Sequence, residues 1–184
     1  MSKLYVSSPL DGFSQEWQGI SLAENTGYEL VSLAVSQGHE DAFAKTFKKT
    51  FKAETPKPNH ITHAKDASVM WLEADKYLVM LGQENVNADT ALRATFGESA
   101  YPVLLSDGWA CLHISGERVM DVLERFIALD LRTAADDFAA RTTAHHISVI
   151  IMTRPDGSYY LITPRSSASA FYDALTHVIE NVVS

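Results

Sequence analysis

The feature that most constrains the fold is a series of secondary-structure signals that occurs twice along the chain. Short apolar runs typical of strands alternate with segments whose apolar residues recur at helical spacing, and turn-forming residues separate them. From residue 28 the signals follow the order β-α-β-β-α-β, and from residue 108 they follow the order β-α-β-β-α. This order predicts an α+β protein built from two consecutive ferredoxin-like split βαβ units.

The first series contains the clearest periodic signals. Residues 28–36 are apolar on both faces, which is typical of a central strand. Residues 68–74 and 76–81 predict a hairpin, and residues 53–64, which contain two prolines, predict a loop before it. Three phenylalanines recur at every fourth position and predict one core-facing helix stripe: Phe43, Phe47 and Phe51.

The second series begins at Asp107-Gly108, a tight-turn signal that leads directly into a strand. Ser115-Gly116 follows this strand, and we interpret the pair as a helix cap because the residues around it lack the pattern of a nucleophilic serine. Residues 146–152 are almost entirely apolar and β-branched, so they predict a buried strand. The polar residues 128–143 give no clear periodicity.

The residues before the first series have a different character. Residues 1–27 contain scattered large apolar side chains without periodicity, so we expect an irregular N-terminal arm. Residues 28–184 are expected to form a single α+β domain with halves at 28–106 and 108–184, because the connection between them is too short to let them separate. The arm could cover the core of its own chain or pack on a partner chain, and the sequence favours neither interpretation. Its candidate interface residues are Leu10, Phe13 and Trp17.

The charge balance argues against several classes of function. The chain has 184 residues, a net charge of −8 and a pI near 5.3, whereas a nucleic-acid surface needs clustered Lys and Arg. No apolar run approaches the roughly 18 residues of a membrane span, and the first residues lack the apolar region of a secretory signal. We therefore expect a cytoplasmic protein that binds neither nucleic acid nor a membrane.

No catalytic or metal site stands out among the reactive side chains. Cys111, the single cysteine, lies in mid-strand and is expected to be a buried, inert thiol. His60 and His63 lie in a proline-containing loop, and the adjacent His145 and His146 would point to opposite faces of a strand, so neither pair predicts a metal site. No stretch resembles a glycine-rich phosphate loop. We expect this chain itself to hold no catalytic residue, cofactor or metal.

Arg165 is the charged residue whose position most suggests a binding role. It follows Pro164 where a strand gives way to the last helix, and there a guanidinium can hold a carboxylate through two hydrogen bonds. An intrachain or interface salt bridge explains such an arginine more often than substrate contact does. We therefore regard Arg165 as a candidate interface residue or ligand clamp.

Six short stretches also follow one another in the order and near the spacing of a known family: Ser8-Pro9-Leu10, residues 70–78, Leu105-Ser106-Asp107, residues 115–123, Leu129-Asp130-Leu131 and Thr163-Pro164-Arg165-Ser166. Together they resemble the gamma subunit of heterotetrameric sarcosine oxidase over nearly the whole chain. The sequence departs from the family pattern at residues 125–128, 132–133 and 140–143, so it resembles a divergent member.

The resemblance implies both a fold and a function. Gamma subunits look like the N-terminal domain of the glycine cleavage T-protein, a folate-binding aminomethyltransferase. The implied role is a non-catalytic subunit that stabilises the large alpha subunit of a complex that also contains beta and delta subunits. The complex demethylates sarcosine oxidatively to glycine, passes the one-carbon unit to tetrahydrofolate or releases formaldehyde, and produces hydrogen peroxide. FAD, FMN, NAD and tetrahydrofolate are then expected in the partner subunits and not in this chain.

Two alternative functions remain open from the sequence. The first is a stand-alone folate-binding protein of the aminomethyltransferase type, which needs an acidic side chain to hold the pterin. The acidic candidates for that role are Asp107, Asp130 and Glu73. The second is a small regulatory domain of ferredoxin-like type that binds an amino acid at a dimer interface.

Overall fold

The computed structural model describes residues 7–82 and 87–184, which form eleven β-strands and four α-helices. In chain order the elements are β1 (Ser14–Trp17), β2 (Ile20–Asn25), β3 (Tyr28–Val35), α1 (Glu40–Phe51), β4 (Ile61–His63), β5 (Ala67–Glu73), β6 (Lys76–Gly82), α2 (Ala88–Phe96), β7 (Ala100–Leu104), β8 (Trp109–Ser115), α3 (Val119–Phe126), β9 (Ala139–Ala144), β10 (Ile147–Thr153), β11 (Tyr159–Pro164) and α4 (Ala168–Val183). Single turns of 3-10 helix precede β7, β8 and α4. None of the helices in the described ranges combines the length and apolar character that crossing a membrane needs.

The strands form two sheets whose paired strands are all antiparallel. The larger sheet has the order β1-β2-β8-β11-β10-β9, and the smaller has the order β4-β5-β6-β3-β7. Helices α3 and α4 share a core with the larger sheet, and α1 and α2 share one with the smaller sheet. A third core lies between the sheets. The layers are therefore helix, sheet, sheet and helix, and each sheet is apolar on both faces.

The two-sided burial of β3 illustrates how the sequence produces these layers. Leu30 belongs to the core between the sheets, whereas Val31 and Leu33 belong to the core under α1 and α2. Successive side chains of a strand point to opposite faces, so an uninterrupted apolar run suits a strand that is covered on both sides. The predicted central strand is confirmed here, as is the buried phenylalanine stripe of α1.

The two predicted units are both present, and they are completed differently. In the first, β5, β6, β3 and β7 lie side by side and carry α1 and α2. In the second, β10, β11 and β8 occupy the equivalent places and carry α3 and α4, and β2 pairs with β8 as β7 pairs with β3. The predicted α+β fold class is confirmed, and the fourth strand of the second unit comes from the N-terminal segment.

The prediction of an irregular arm is therefore wrong for residues 14–25. These residues form the β1–β2 hairpin, and Leu22 lies fully buried opposite Ile114 of β8. Strands of four and six residues leave only a weak pattern in the sequence. What stabilises them is the open edge of β8, which lies far away along the chain.

Two other short strands lie where the sequence predicted a loop or nothing definite. Residues 61–63 form β4, so the predicted loop over 53–64 is wrong at its end. Residues 139–144 of the unassigned polar stretch form β9. Both are edge strands, and an isolated bridge between His60 and Phe138 joins the segments that lead into them. Edge strands pair on one side only, so their sequences need less apolar periodicity.

The predicted helix cap at Ser115-Gly116 is also wrong. Helix α3 begins at Val119, and Arg118 occupies the capping position without a side-chain bond. Gly116 has a φ of 121°, and a Cβ atom there would lie 2.3 Å from the carbonyl oxygen of Gly19. The glycine is required because the backbone of the β1–β2 turn passes directly over it.

Candidate functional site

A cleft of about 590 Å³ lies where the N-terminal segment meets the ends of the two sheets. The start of β3, the start of β8, the turn Ser106–Gly108 and the residue after β11 contribute its walls. The fold thus brings together two of the residues that the sequence singled out, Asp107 and Arg165. Several other polar residues that the sequence did not single out also line it: Glu24, Tyr28, Glu29 and Ser106.

Glu24 organises one wall of this cleft. Its carboxylate accepts hydrogen bonds from the Ser8 hydroxyl at 2.7 Å, from the Leu10 N–H at 3.1 Å and from the Gly12 N–H at 2.7 Å. A carboxylate that accepts several such bonds holds a loop firmly. Residues 8–12 are therefore folded against β2, although nothing in a single sequence distinguishes Glu24 from other surface acids.

A second carboxylate, Glu29, fixes the opposite wall. It accepts a hydrogen bond of 2.5 Å from the Ser106 hydroxyl, whose oxygen in turn accepts the Leu30 N–H at 2.9 Å. This chain of bonds ties the turn between β7 and β8 to the start of β3. Asp107 follows Ser106 directly and is exposed at the cleft. Its exposed carboxylate can accept hydrogen bonds from an N–H-rich ligand.

Arg165 contacts the N-terminal segment, and it forms no ion pair with an acid of the described residues. The Pro164 φ of −55° ends β11, and Arg165 opens the single 3-10 turn that leads into α4. Its Nη2 donates to the Ser7 carbonyl oxygen at 2.6 Å, and the side chain is otherwise exposed. The remaining guanidinium N–H groups make no hydrogen bond with residues 7–82 or 87–184 and can donate to a partner or a ligand.

Two side chains of the cleft, Tyr28 and Cys111, are held in their neutral forms. Burial, with the nearby charges of Glu24 and Glu29, raises the pKa of Tyr28, and Arg165 opposes this effect weakly. The Tyr28 hydroxyl donates to the Trp109 carbonyl oxygen at 3.4 Å. Burial also raises the pKa of the Cys111 thiol, so the thiolate that nucleophilic chemistry needs is strongly disfavoured.

The other two acidic candidates lie away from the cleft. Glu73 is exposed at the end of β5 and forms an ion pair with Lys76 across the hairpin, and this contact lowers the Glu73 pKa. Asp130 is exposed in the connection between α3 and β9, where it accepts a long bond from the Thr133 N–H at 3.4 Å. Of the three candidate acids, Asp107 alone lines the cleft.

The apolar residues of the N-terminal segment pack against their own chain. Leu10, Phe13 and Trp17 are half-buried and contact the core of the larger sheet. The Phe13 ring meets the edge of Tyr172 on α4, with 4.5 Å between centroids. Of the two interpretations, this packing favours the one in which the segment covers its own core, and the exposed remainder of each side chain can still contact a partner.

The most exposed large apolar side chains are elsewhere, on β7. Tyr101, Val103 and Leu104 are 59%, 54% and 42% exposed, and β7 is an edge strand of the smaller sheet. An edge strand that displays apolar side chains is a place where another chain can pack.

His60 and His63 make separate local contacts. His60 Nδ1 contacts the Pro58 carbonyl oxygen at 2.8 Å, and His63 Nδ1 contacts the Ser68 hydroxyl at 3.0 Å. His145 and His146 form the β9–β10 turn with φ values of 46° and 67°, so the strand predicted over residues 146–152 begins one residue later, at Ile147. Among the described residues no group of three or more His, Cys, Asp or Glu side chains is arranged to hold a metal ion.

The fold and the cleft together define a class of protein, the T-protein-like α+β domain built from two ferredoxin-like units. The aminomethyltransferase T of the glycine cleavage system from Bartonella henselae has the same fold, with a TM-score of 0.66 and 12% identity. That match covers 85% of this chain and 45% of the aminomethyltransferase, so this chain spans under half the length of that protein.

The family follows from the sequence profile of the sarcosine oxidase, gamma subunit family, which matches residues 36–179. The chain belongs to this family. A chain of the heterotetrameric sarcosine oxidase from Corynebacterium sp. U-96, solved in complex with pyrrole 2-carboxylate, matches with a TM-score of 0.77 and 19% identity. The match covers 90% of this chain and 86% of the other. By sequence alone, none of the curated proteins compared with the chain gives a significant match.

Proposed function

We propose that this chain is the non-catalytic gamma subunit of a sarcosine-oxidase-like heterotetramer, in which it stabilises the large alpha subunit. The observation that carries the proposal is the family match over residues 36–179. The likeness of fold to a chain of a heterotetrameric sarcosine oxidase supports it. Beta and delta subunits complete the proposed assembly, and its proposed location is the cytoplasm.

The reaction proposed for the complex is the oxidative demethylation of sarcosine to glycine. Oxygen is reduced to hydrogen peroxide, and the methyl carbon leaves as formaldehyde or passes to tetrahydrofolate. The flavins, NAD and folate that this chemistry requires are proposed to be bound by the partner subunits. Within this chain, the Glu24 and Glu29 carboxylates accept hydrogen bonds that hold loops in place, and the Cys111 thiol is buried, which agrees with a non-catalytic role.

The contact with the alpha subunit is proposed to include β7. Tyr101 and Val103 lie on the same face of this strand, since side chains alternate, and both are more than half exposed. Burial of such side chains in an interface removes apolar area from water and so favours association. Arg165, Leu10, Phe13 and Trp17 remain candidates for a second contact on the side of the N-terminal segment.

Affinity purification of the tagged chain from extract of its native cells tests the proposal. We expect a yellow eluate with flavin absorption bands and with a much larger subunit in stable proportion to the tagged chain. A colourless eluate that contains the tagged chain alone, at a salt concentration that preserves protein complexes, would contradict the subunit role.

The cleft favours one alternative, a stand-alone folate-binding protein of the aminomethyltransferase type. Asp107 could accept hydrogen bonds from the pterin, and Arg165 could hold the carboxylates of the glutamate tail. Calorimetric titration of the isolated chain with tetrahydrofolate distinguishes this alternative. Saturable binding that Asp107→Asn abolishes would favour it, whereas the subunit proposal expects no heat of binding.

A further inference from the structure

The outer backbone edge of β7 lacks a hydrogen-bond donor at its centre. The Leu105 N–H donates to the Leu30 carbonyl oxygen at 2.7 Å, so the backbone groups of Leu105 point towards β3. Backbone groups alternate in direction along a strand, so those of Pro102, and of Ala100 and Leu104 on either side of it, point away from β3. A proline has no N–H, so the middle of this edge offers no donor to a further strand.

The carbonyl oxygen of Pro102 is occupied as well. Arg93 of α2 reaches the outer edge of β7 and donates from Nη2 to this oxygen at 3.1 Å. A partner strand that lay along β7 would therefore miss the central donor and compete with Arg93 for the central acceptor. Two copies of this chain paired edge to edge about Pro102 would also bring their Arg93 guanidinium groups together, and like charges repel. The edge thus disfavours both strand addition and self-association.

The side chains of β7, unlike its backbone edge, are open to a partner. Val103 pairs with Ser32 and Tyr101 pairs with Ala34, so both point to the face of the smaller sheet that is turned towards the larger one. Leu105, on the same face, packs against the core between the sheets. Tyr101 and Val103 extend past that core and are more than half exposed, so neither sheet covers their apolar area.

A groove of about 580 Å³ continues this surface around the edge of the sheet. Arg93 and Tyr101 line it, together with the connection from β3 to α1 and the turn after α2. Arg93 is exposed and forms no ion pair with an acid of residues 7–82 or 87–184. Glu98, the acid that lines the groove, is exposed and unpaired within the same ranges. Since Arg93 is already held by one N–H, its other N–H groups are positioned for a carboxylate at little further cost in side-chain entropy.

We propose that the large alpha subunit docks on this surface through side chains alone, and that it presents a carboxylate to Arg93 beside apolar side chains that cover Tyr101 and Val103. This inference rests on the proposed function, and it adds the anchoring residue, the charge of the partner group and the exclusion of strand addition. Tyrosine and arginine are among the residue types that most often dominate an interface. The planar guanidinium can also fix the orientation of the partner, because it binds a carboxylate through two parallel hydrogen bonds.

Affinity purification of tagged variants from the native cells tests this inference. The measurement is the ratio of the flavin-containing large subunit, identified by mass spectrometry, to the tagged chain. Arg93→Gln should lower this ratio at least about fivefold, and Arg93→Lys should lower it less, because lysine keeps the charge without the fork. Glu98→Gln should leave the ratio unchanged or raise it, because it removes a competing acid. Arg125→Gln, at an exposed arginine on α3, is the matched control and should have no effect.

Pro102→Val tests the exclusion of strand addition, since valine restores an N–H to the outer edge of β7. We expect this variant to capture no more large subunit than the wild-type chain does. A raised ratio would show that the partner adds a strand and would overturn the inference. Circular dichroism of each purified variant separates loss of association from loss of folding.

The failure of this inference and the failure of the proposed function give different results. If the wild-type chain captures the large subunit and Arg93→Gln captures as much, the docking inference is wrong and the subunit role stands. A lower ratio in Glu98→Gln would also overturn the inference, because the partner would then present a cation. If the wild-type chain captures no large subunit, the proposed function fails, and the docking inference fails with it.

Discussion

The two ferredoxin-like units of this protein complete their sheets in different ways. The first unit uses β7, which follows its second helix directly, and β7 remains at the edge of the sheet with three apolar side chains exposed. The second unit uses β2, which precedes the first unit in the chain, and β1 covers the far side of β2. The outermost strand there is short and mostly polar. The comparison teaches that a strand from outside the unit can both fill the missing place and protect the edge.

The largest expected effect is on the attachment of β2 to the second unit. Gly116→Ala places a Cβ atom 2.3 Å from the Gly19 carbonyl oxygen and at a positive φ, so the β1–β2 turn must move. We expect the free energy of unfolding to fall by about 3 to 4 kcal/mol in urea titrations. The control Gly108→Ala, where the added atom meets open space, should change it by less than about 1 kcal/mol. Equal effects of the two substitutions would contradict the close approach.

The next effect concerns whether β2 is a true core strand. Leu22 is fully buried, so Leu22→Ala should lower the free energy of unfolding by about 3 kcal/mol. Leu10, in the same segment but half-buried, is the matched control, and Leu10→Ala should cost about 1 kcal/mol. Amide hydrogen exchange of β8 should rise in the Leu22 variant. If the amide hydrogens of β8 exchanged as slowly as in the wild type, β2 would pack on the second unit without contributing to its stability.

A substitution on β7 is expected to affect stability less and to affect mainly the association with the large subunit. Tyr101→Lys should alter the free energy of unfolding by no more than about 0.5 kcal/mol, because the side chain is exposed. It should reduce the amount of large subunit that purifies with the tagged chain several-fold. Thr143→Lys, at an exposed position on the edge strand β9, is the control. Loss of the large subunit in both variants would argue against β7 as a specific contact.

The smallest expected effect lies between the units, at His63. Its pKa is lowered from 6.5 in the folded chain by burial and by Arg154, so the unfolded chain takes up the proton first as the pH falls. The stability from neutral His63 is complete above the unfolded pKa and is lost as the pH falls through the folded pKa. His63→Gln should therefore reduce the loss of stability between roughly pH 7.5 and 5.5 in urea titrations. Part of the loss of stability at low pH should remain in this variant, because burial also lowers the pKa of His113.

The control for this experiment is His177→Gln, at an exposed position on α4. An unchanged pH dependence in His63→Gln, together with wild-type behaviour of the control, would mean that His63 titrates alike in the folded and unfolded chains. A steeper loss in His63→Gln would reverse the expected sign.

Elements whose own side chains determine their burial could be predicted from the sequence. The phenylalanine stripe of α1, the two-sided apolar run of β3 and the β-branched run of β10 all fit their local pattern. β1, β2, β4 and β9 could not be predicted in this way, because short strands depend on the partner strand for their hydrogen bonds. The turn at His145 has no glycine or asparagine to signal its positive φ.

Of the residues that line the candidate cleft, the sequence singled out only Arg165 and Asp107 as binding candidates, for a related reason. Arg165 follows Pro164 and Asp107 precedes Gly108, so the sequence predicts that both lie at turns next to strands. Glu24 and Glu29 became cleft residues only because β2 pairs with β8 and Ser106 returns to the start of β3. Arg154 and His63 likewise meet across two sheets that no local pattern connects.

The place of β2 also has a consequence for the order of events when the chain folds. Ser21 pairs with Ser115, about ninety residues further along the chain. The whole first unit, with its two helices, lies between these residues, so the pairing of β2 with β8 is a long-range contact that is slow to form. On the ribosome, β1 and β2 emerge well before β8 and have no partner strand in the larger sheet until β8 has been synthesised. The second unit is then expected to gain its native edge last, and the early hairpin is the segment that a nascent chain must keep from pairing elsewhere.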